Sequence, residues 1–243
     1  MNEKYELTEE FKEIETLREG WLQKIKVYRI RALRAFADVK IGDLGGFVET
    51  KQNLSNMGNA WVCDNAWVRD NAWVCGDAKV YGNAEVCGDA KVYGNAEVYG
   101  DARVCDNAWV RDNAWVCGDA WVCGDAKVYG NAKVYGNAWV RDNAKVYGNA
   151  EVCGDAKVCD NANIFWCSSI GSRHATTTMF RNKDNGITVT CGCFMGTLEE
   201  FAAIVEKEHG ENIFGKEYKL LIELAKIHFG LQDETKGEEE NGI

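Results

Sequence analysis

The 243-residue chain contains no proline, where average usage of about 5% would give about twelve, so its turns fall to Gly, Asn and Asp. Histidine is almost as scarce, with three residues: His174, His209 and His228. Positive charge is in deficit, 28 Lys and Arg standing against 38 Asp and Glu for a formal net charge of −10. A groove that tracks phosphates makes a domain basic, so direct binding of duplex nucleic acid is not expected. No apolar run reaches the length of a membrane span, and Met1 to Gly20 is charged throughout, unlike a signal peptide. The expectation is a cytoplasmic protein without membrane contact, built as one large domain with small additions.

What the chain has in excess is glycine, 25 residues, and a repeat of period six. From Gly58 it runs Gly-Asn-Ala-Trp-Val-Cys, Asp-Asn-Ala-Trp-Val-Arg, Asp-Asn-Ala-Trp-Val-Cys, and continues without a gap to Asp160-Asn161-Ala162-Asn163-Ile164-Phe165, eighteen hexads in all. Within each hexad, Ala and Val (Ile in the last) stand two apart, so in extended backbone both point inward, while the residue between them points out. The remaining pair is Gly or Asp followed by Asn or Asp, types that tolerate turn and left-handed backbone. A corner therefore falls every six residues.

Short strands joined by corners at this spacing build a parallel β-helix, and three six-residue sides make a triangular coil of 18 residues. Eighteen hexads make about six coils, a stack of roughly 29 Å at about 4.8 Å per strand. The pattern Val-x-x-x-Ala-x resembles that of the hexapeptide-repeat superfamily, whose left-handed parallel β-helix is shared by many acyltransferases. The resemblance implies the handedness and a common trimeric assembly with grooves between solenoids. A five-residue repeat, which would give the square helix of the pentapeptide family, does not fit. The fold class expected is mainly β: a triangular left-handed parallel β-helix with an N-terminal cap and a small α+β C-terminal segment.

Residues eighteen apart stack, so the outward columns form ladders. The first side carries Trp61, Lys79, Glu97, Trp115, Lys133 and Glu151; the second carries Trp67, Glu85, Arg103, Trp121, Trp139 and Lys157. In both, each charge meets an opposite charge or an indole. The third side carries Trp73, Lys91, Trp109, Lys127, Lys145 and Asn163, with one like-charge step, Lys127 to Lys145. Trp67, Trp73, Trp109, Trp121 and Trp139 are candidates for an oligomer or partner surface, since large exposed apolar groups tend to mark interfaces. The alternative is that the indoles only cover neighbouring rungs.

Eight of the eleven cysteines follow Val in the hexads, and Cys87, Cys105 and Cys123 stack on one side. Exposed thiols at this spacing would scramble in an oxidising compartment, which favours a reducing cytosol. A closed metal site needs four converging ligands, whereas a flat ladder presents thiols in a line, so no metal and no cofactor are expected. Cys191-Gly192-Cys193 is too tight for a zinc knuckle and reads as a strand with small polar outward residues.

The resembled acyltransferases use a His near a coil or loop as general base, and the zinc carbonic anhydrases of that fold use three. The hexads contain neither His nor loop insertion, so no catalytic residue carries over. Only His174 remains as a base for a divergent acyltransferase holding a CoA ester in an intersubunit groove. His209 and His228 fall near the ends of expected helices, in solvated or cap-interacting positions.

Residues 1–57 are expected to form the cap. Phe11, Ile14 and Leu17, behind a Thr8 N-cap, suggest an amphipathic helix over residues 8–19 covering the open solenoid end. Lys26 to Leu33 alternates as a strand, and Gly42 to Glu49 reads as an irregular first coil. After the solenoid (58–165), residues 166–230 are expected to hold a hairpin through Asn185-Gly186, a helix opened by the capping box Thr197-Leu198-Glu199-Glu200, and a second helix from about Lys216 to Phe229 with Tyr218, Leu221, Ile222, Ala225 and Phe229 on one face. The acidic tail, 231–243, is expected to be disordered.

The whole layout, with Gly-Asp-Leu-Gly-Gly-Phe-Val-Glu before the hexads and Cys-Gly-Cys-Phe-Met-Gly-Thr-Leu-Glu-Glu-Phe after them, resembles hexapeptide-repeat proteins of phages and prophages, a resemblance that brings no activity with it. The densest non-repetitive polar stretch is Ser168 to Thr178. Ser172, Arg173, His174, Thr176, Thr177 and Thr178 supply hydroxyls, a guanidinium and Gly-freed backbone that suit a phosphate or carboxylate, although an ordinary polar loop and edge strand would have the same composition. Three functions are consistent with these residues: a non-enzymatic, oligomeric phage-type protein that sequesters a small nucleotide-like anion or blocks a host defence protein; the divergent acyltransferase; and a structural scaffold or acidic decoy for a DNA-binding protein.

Overall fold

The computed structural model describes residues 3–18 and 20–231 and divides into two compact units, Met1–Asn161 and Ala162–Ile243. In the first, β1 (Tyr5–Arg18) and β2 (Trp21–Ala32) form an antiparallel hairpin, β3 (Leu44–Val48) follows, and β4 to β20 are seventeen two-residue rungs running from Trp61–Val62 to Lys157–Val158. Each rung is the outward residue and the Val of one hexad, paired in parallel with the rung eighteen residues away, as in Glu97↔Lys79 and Val98↔Val80. The chain thereby winds a parallel β-solenoid of about six coils with three sheets, one per side.

The inward Ala and Val of every coil are sealed from solvent, Ala78 and Val80 at 0% exposure being typical. No side chain larger than Val is needed to fill a coil this narrow. The backbone amides are satisfied from coil to coil, Trp61 N–H donating to Ala78 O at 3.0 Å and Cys63 N–H to Val80 O at 2.9 Å. At most corners where Asn is the second residue, its amide donates to the corner side chain one coil on, as from Asn83 to Asp101 at 3.0 Å and Asn95 to Asn113 at 2.9 Å.

The eighteenth hexad leaves the ladder. Asn161–Asn163 is a 3-10 turn, so Asn163 is not a rung and the third-side sheet ends at Lys145. Asn is a poor strand former whose side chain competes for local backbone groups, and it stands where earlier hexads carry Trp, Lys, Glu or Arg.

The N-terminal helix expected over residues 8–19 is instead strand β1. Phe11 faces Tyr28, Ile14 faces Ile25 and Leu17 faces Leu22 across the hairpin. The three-residue apolar spacing was outweighed by charge complementarity with the facing strand of the hairpin: Glu10 pairs with Arg29 (2.7 Å), Glu6 with Arg31, and Glu15 with Lys24 (3.7 Å). β3 then lies parallel to the Trp67 rung (Phe47↔Trp67, Val48↔Val68), so the hairpin extends the second side of the solenoid.

The second unit has β21 (Ile164–Ile170), β22 (Ala175–Arg181), β23 (Ile187–Cys191) and β24 (Phe194–Thr197) in one antiparallel sheet, followed by α1 (Leu198–His209) and α2 (Ile213–Phe229). Thr197 and Glu200 close the expected capping box, and α2, capped by Asn212, starts at Ile213, three residues before the expected start. The α2 face of Tyr218, Leu221, Ile222, Ala225 and Phe229 packs with Leu198, Phe201 and Val205 of α1 and with Met179 and Val189 of the sheet. Cys191-Gly192-Cys193 is not a strand: Cys191 ends β23, and Gly192, at φ 60°, and Cys193 turn the chain into β24. His209 and His228 sit in the last turns of their helices, each beside aromatic rings, His209 next to Phe214 and Tyr218, His228 next to Phe165 and Phe229. Residues 232–243, most of the expected disordered tail, lie outside the described residues. No helix among the described residues is long and apolar enough to cross a membrane.

Candidate functional site

The third side of the solenoid bears a groove of about 700 Å³ lined by Lys91, Trp109, Lys127, Lys145 and, along one flank, corner residues including Asn107 and Asp125. The parallel register fixes its pattern: rungs Lys91, Trp109, Lys127 and Lys145 follow one another at single-coil steps. The Trp109 indole is held between two ammonium groups, Lys91 at 5.4 Å and Lys127 at 4.8 Å from a ring centroid. Lys145 lies directly opposite Lys127. Like charges in this position repel, whereas lysines of the first side meet acids, Lys133 meeting Glu151 at 2.8 Å and Lys79 meeting Asp38 at 3.1 Å. The flank is a hydrogen-bonded ladder in which Asn107 donates to Asp125 and Asn71 to Asp89, both at 3.0 Å, and each carboxylate keeps spare acceptor capacity. Cations and acceptors thus line the same groove.

The corner between the second and third sides carries the stacked thiols. Cys105 donates toward Cys123, which raises the Cys105 pKa above the usual thiol range and lowers that of Cys123. The linear-ladder expectation leaves out the neighbouring carboxylate: the Cys105 and Cys123 sulfurs and a carboxylate oxygen of Asp106 all lie within 4.8 Å of one another.

Of the tryptophans singled out, Trp67, Trp109 and Trp121 are half-buried and Trp73 and Trp139 are exposed. The indoles of Trp121 and Trp139 stack at 5.3 Å and 6°, with the Arg103 guanidinium 4.9 Å from Trp121. Trp61 is buried, with Tyr5 and Phe36 at its edges.

The polar stretch of the second unit does not converge. Ser172, Arg173 and His174 are exposed in the turn between β21 and β22, His174 with a positive φ of 48°. Thr176 shares a 2.8 Å hydrogen bond with Ser168, whereas Thr177 is buried and donates to Cys191 Sγ at 3.2 Å, and Thr178 is buried as well. Strand alternation puts Thr177 on the opposite sheet face from Thr176 and Thr178.

The sequence marked Lys127 and Lys145 as exceptional, but gave Asn107, Asp125 and Asp106 only a turn-forming role. The signal for Asp106 was present: it is an Asp, not a Gly, directly after a repeat Cys, with another Cys eighteen residues on. No protein-family model matches the chain, and no curated protein matches it either.

Proposed function

We propose that this chain is a non-enzymatic binding protein that holds a small nucleotide-like anion along the third side of its solenoid. The Lys127–Lys145 step beside Trp109 carries the reading: it is the one like-charge step in ladders whose other charged rungs face an opposite charge or an indole, and a bound anion relieves it. The Asn107–Asp125 ladder in the same groove supplies acceptors for the hydroxyl or amino groups that a nucleotide carries besides its phosphates. The setting that fits is sequestration in a host cytoplasm by a homo-oligomer, trimeric as in the resembled superfamily, so that a phage-type protein withdraws a host signal. Native mass spectrometry and calorimetry with adenosine diphosphate and with inorganic pyrophosphate test it. Saturable binding that weakens with added salt and is lost in Lys127→Ala/Lys145→Ala is expected. Binding unchanged in that double variant, or absent for both probes, overturns it.

A further inference from the structure

We propose that Cys105, Asp106 and Cys123 form a site for one thiophilic divalent cation of the zinc class, at the corner between the second and third sides of the solenoid. This site stands independently of the anion groove.

Three observations carry it. The two sulfurs and the carboxylate oxygen lie within 4.8 Å of one another, while donors bound tetrahedrally to one zinc at about 2.3 Å (sulfur) or about 2.0–2.2 Å (oxygen) lie about 3.3–3.8 Å apart. Closing the remaining distance of up to about 1 Å falls to rotation of the two thiols and the carboxylate about their side-chain bonds. Second, Asp106 is held in place: at φ 59° its carboxylate points toward the next coil and accepts the Gly124 backbone N–H through Oδ2 at 3.0 Å, so it spans from the Cys105 coil to the Cys123 coil with Oδ1 left for a cation. This is the outer-shell hydrogen bond that a ligating carboxylate needs. Third, the combination is singular in the hexads. Cys-Asp also occurs at Cys63-Asp64 and Cys159-Asp160, but the residues eighteen further on are Tyr81 and Thr177; Cys87 stacks under Cys105 but is followed by Gly88.

The chemistry balances simply. The Cys105 and Cys123 thiols release two protons to solvent, the cation accepts two thiolates and the Asp106 carboxylate, and water completes the tetrahedron on the exposed side. The Arg141 guanidinium, one coil on from Cys123, is engaged with Cys159 Sγ at 3.1 Å and with Asp142 at 3.6 Å.

Cobalt(II) is the spectroscopic probe, added to the full-length reduced protein and then displaced by zinc. One equivalent should produce a thiolate-to-cobalt charge-transfer band with tetrahedral d–d absorption. Both should vanish in Cys105→Ser and in Cys123→Ser, weaken by about tenfold or more in affinity in Asp106→Asn, and persist in Cys87→Ser. Zinc should also protect Cys105 and Cys123 from iodoacetamide, read residue by residue by mass spectrometry, which keeps the test decisive if a variant folds poorly. A band that survives Cys123→Ser, a tetrahedral spectrum without sulfur charge transfer, or zinc protection falling on other cysteines overturns the assignment.

Discussion

The Asp106 carboxylate accepts the backbone N–H of Gly124, one coil further along, at 3.0 Å. The relationship recurs from Asp64 to Gly82, Asp70 to Gly88 and Asp112 to Gly130, at 3.0–3.2 Å. In each pair both corner residues have positive φ, a region in which Asp is tolerated because its short carboxylate finds a local donor and Gly because it has no Cβ. The two residue types at the corner are therefore not interchangeable fillers: an Asp ties its corner to the coil above.

Substitutions at one such corner should separate these contributions. Asp112→Gly exchanges a hydrogen bond for backbone freedom and should change stability by no more than about 1 kcal/mol. Asp112→Ala keeps the positive φ without either compensation and should cost about 2 kcal/mol. Gly88→Ala should cost more still, because its Cβ would stand 2.8 Å from the Asp106 backbone nitrogen. Urea unfolding of the three variants checks the order.

Tryptophans on the same kind of rung should differ sharply in their contribution to stability. Trp61 is 4% exposed beneath Tyr5 and Phe36, so Trp61→Ala should cost about 3–5 kcal/mol. Trp139 is 42% exposed and contributes chiefly its stack on Trp121, so Trp139→Ala should cost about 0.5–1.5 kcal/mol. Thermal melts decide, and equal losses would show that the ladder and not burial sets the contribution of an indole.

Lys145→Glu should move stability and binding in opposite directions. Placing a carboxylate opposite Lys127 replaces repulsion by attraction and should stabilise the solenoid by about 0.2–1 kcal/mol. The same change should abolish binding of pyrophosphate. A variant that loses stability, or that gains it and still binds, contradicts the anion reading of the groove.

Alkaline pH should destabilise the first unit. Burial, aided by Asp64, pushes the Cys63 thiol from 9.0 up to about 11, and burial, aided by Glu3, pushes the Tyr5 hydroxyl from 10.0 up to about 12. Both folded values lie above the unfolded ones, so their stabilisation is complete below about pH 9 and is lost as pH rises through 11 and 12. Lys4 has the opposite sign: buried, with its ammonium donating to Ala60 O at 2.8 Å, it is pushed down to about 8 by desolvation and by Arg34, so its contribution grows as pH rises from 8 toward 10.5. Melting temperatures followed from pH 7 to 12 should rise slightly above pH 8 and then fall. Lys4→Met should remove the rise, and Cys63→Ala the earliest part of the fall.

The legible and illegible parts of this chain differ in how many structures their local pattern admits. Rungs, ladders and coil count followed from the period, because a partner exactly eighteen residues away is written in the repeat itself. The capping box at Thr197 and the hairpin at Asn185 were equally local. The strand Tyr5–Arg18 was not, since its apolar spacing also suits a helix and only the facing cations of Trp21–Ala32 select the extended form.

The sequence by itself determined the parallel solenoid, its three sides and the outward ladders, including the isolated Lys127–Lys145 step, because side-chain alternation and an unbroken six-residue period leave no freedom of register. Only the tertiary structure decided which corner side chains converge. A carboxylate at a left-handed corner is aimed by the N–H of the next coil, and that direction, unlike the period, is set by backbone atoms eighteen residues away: it brings Asp106 to two thiols, whereas strand alternation sends the hydroxyls of Thr176, Thr177 and Thr178 to opposite faces of their sheet.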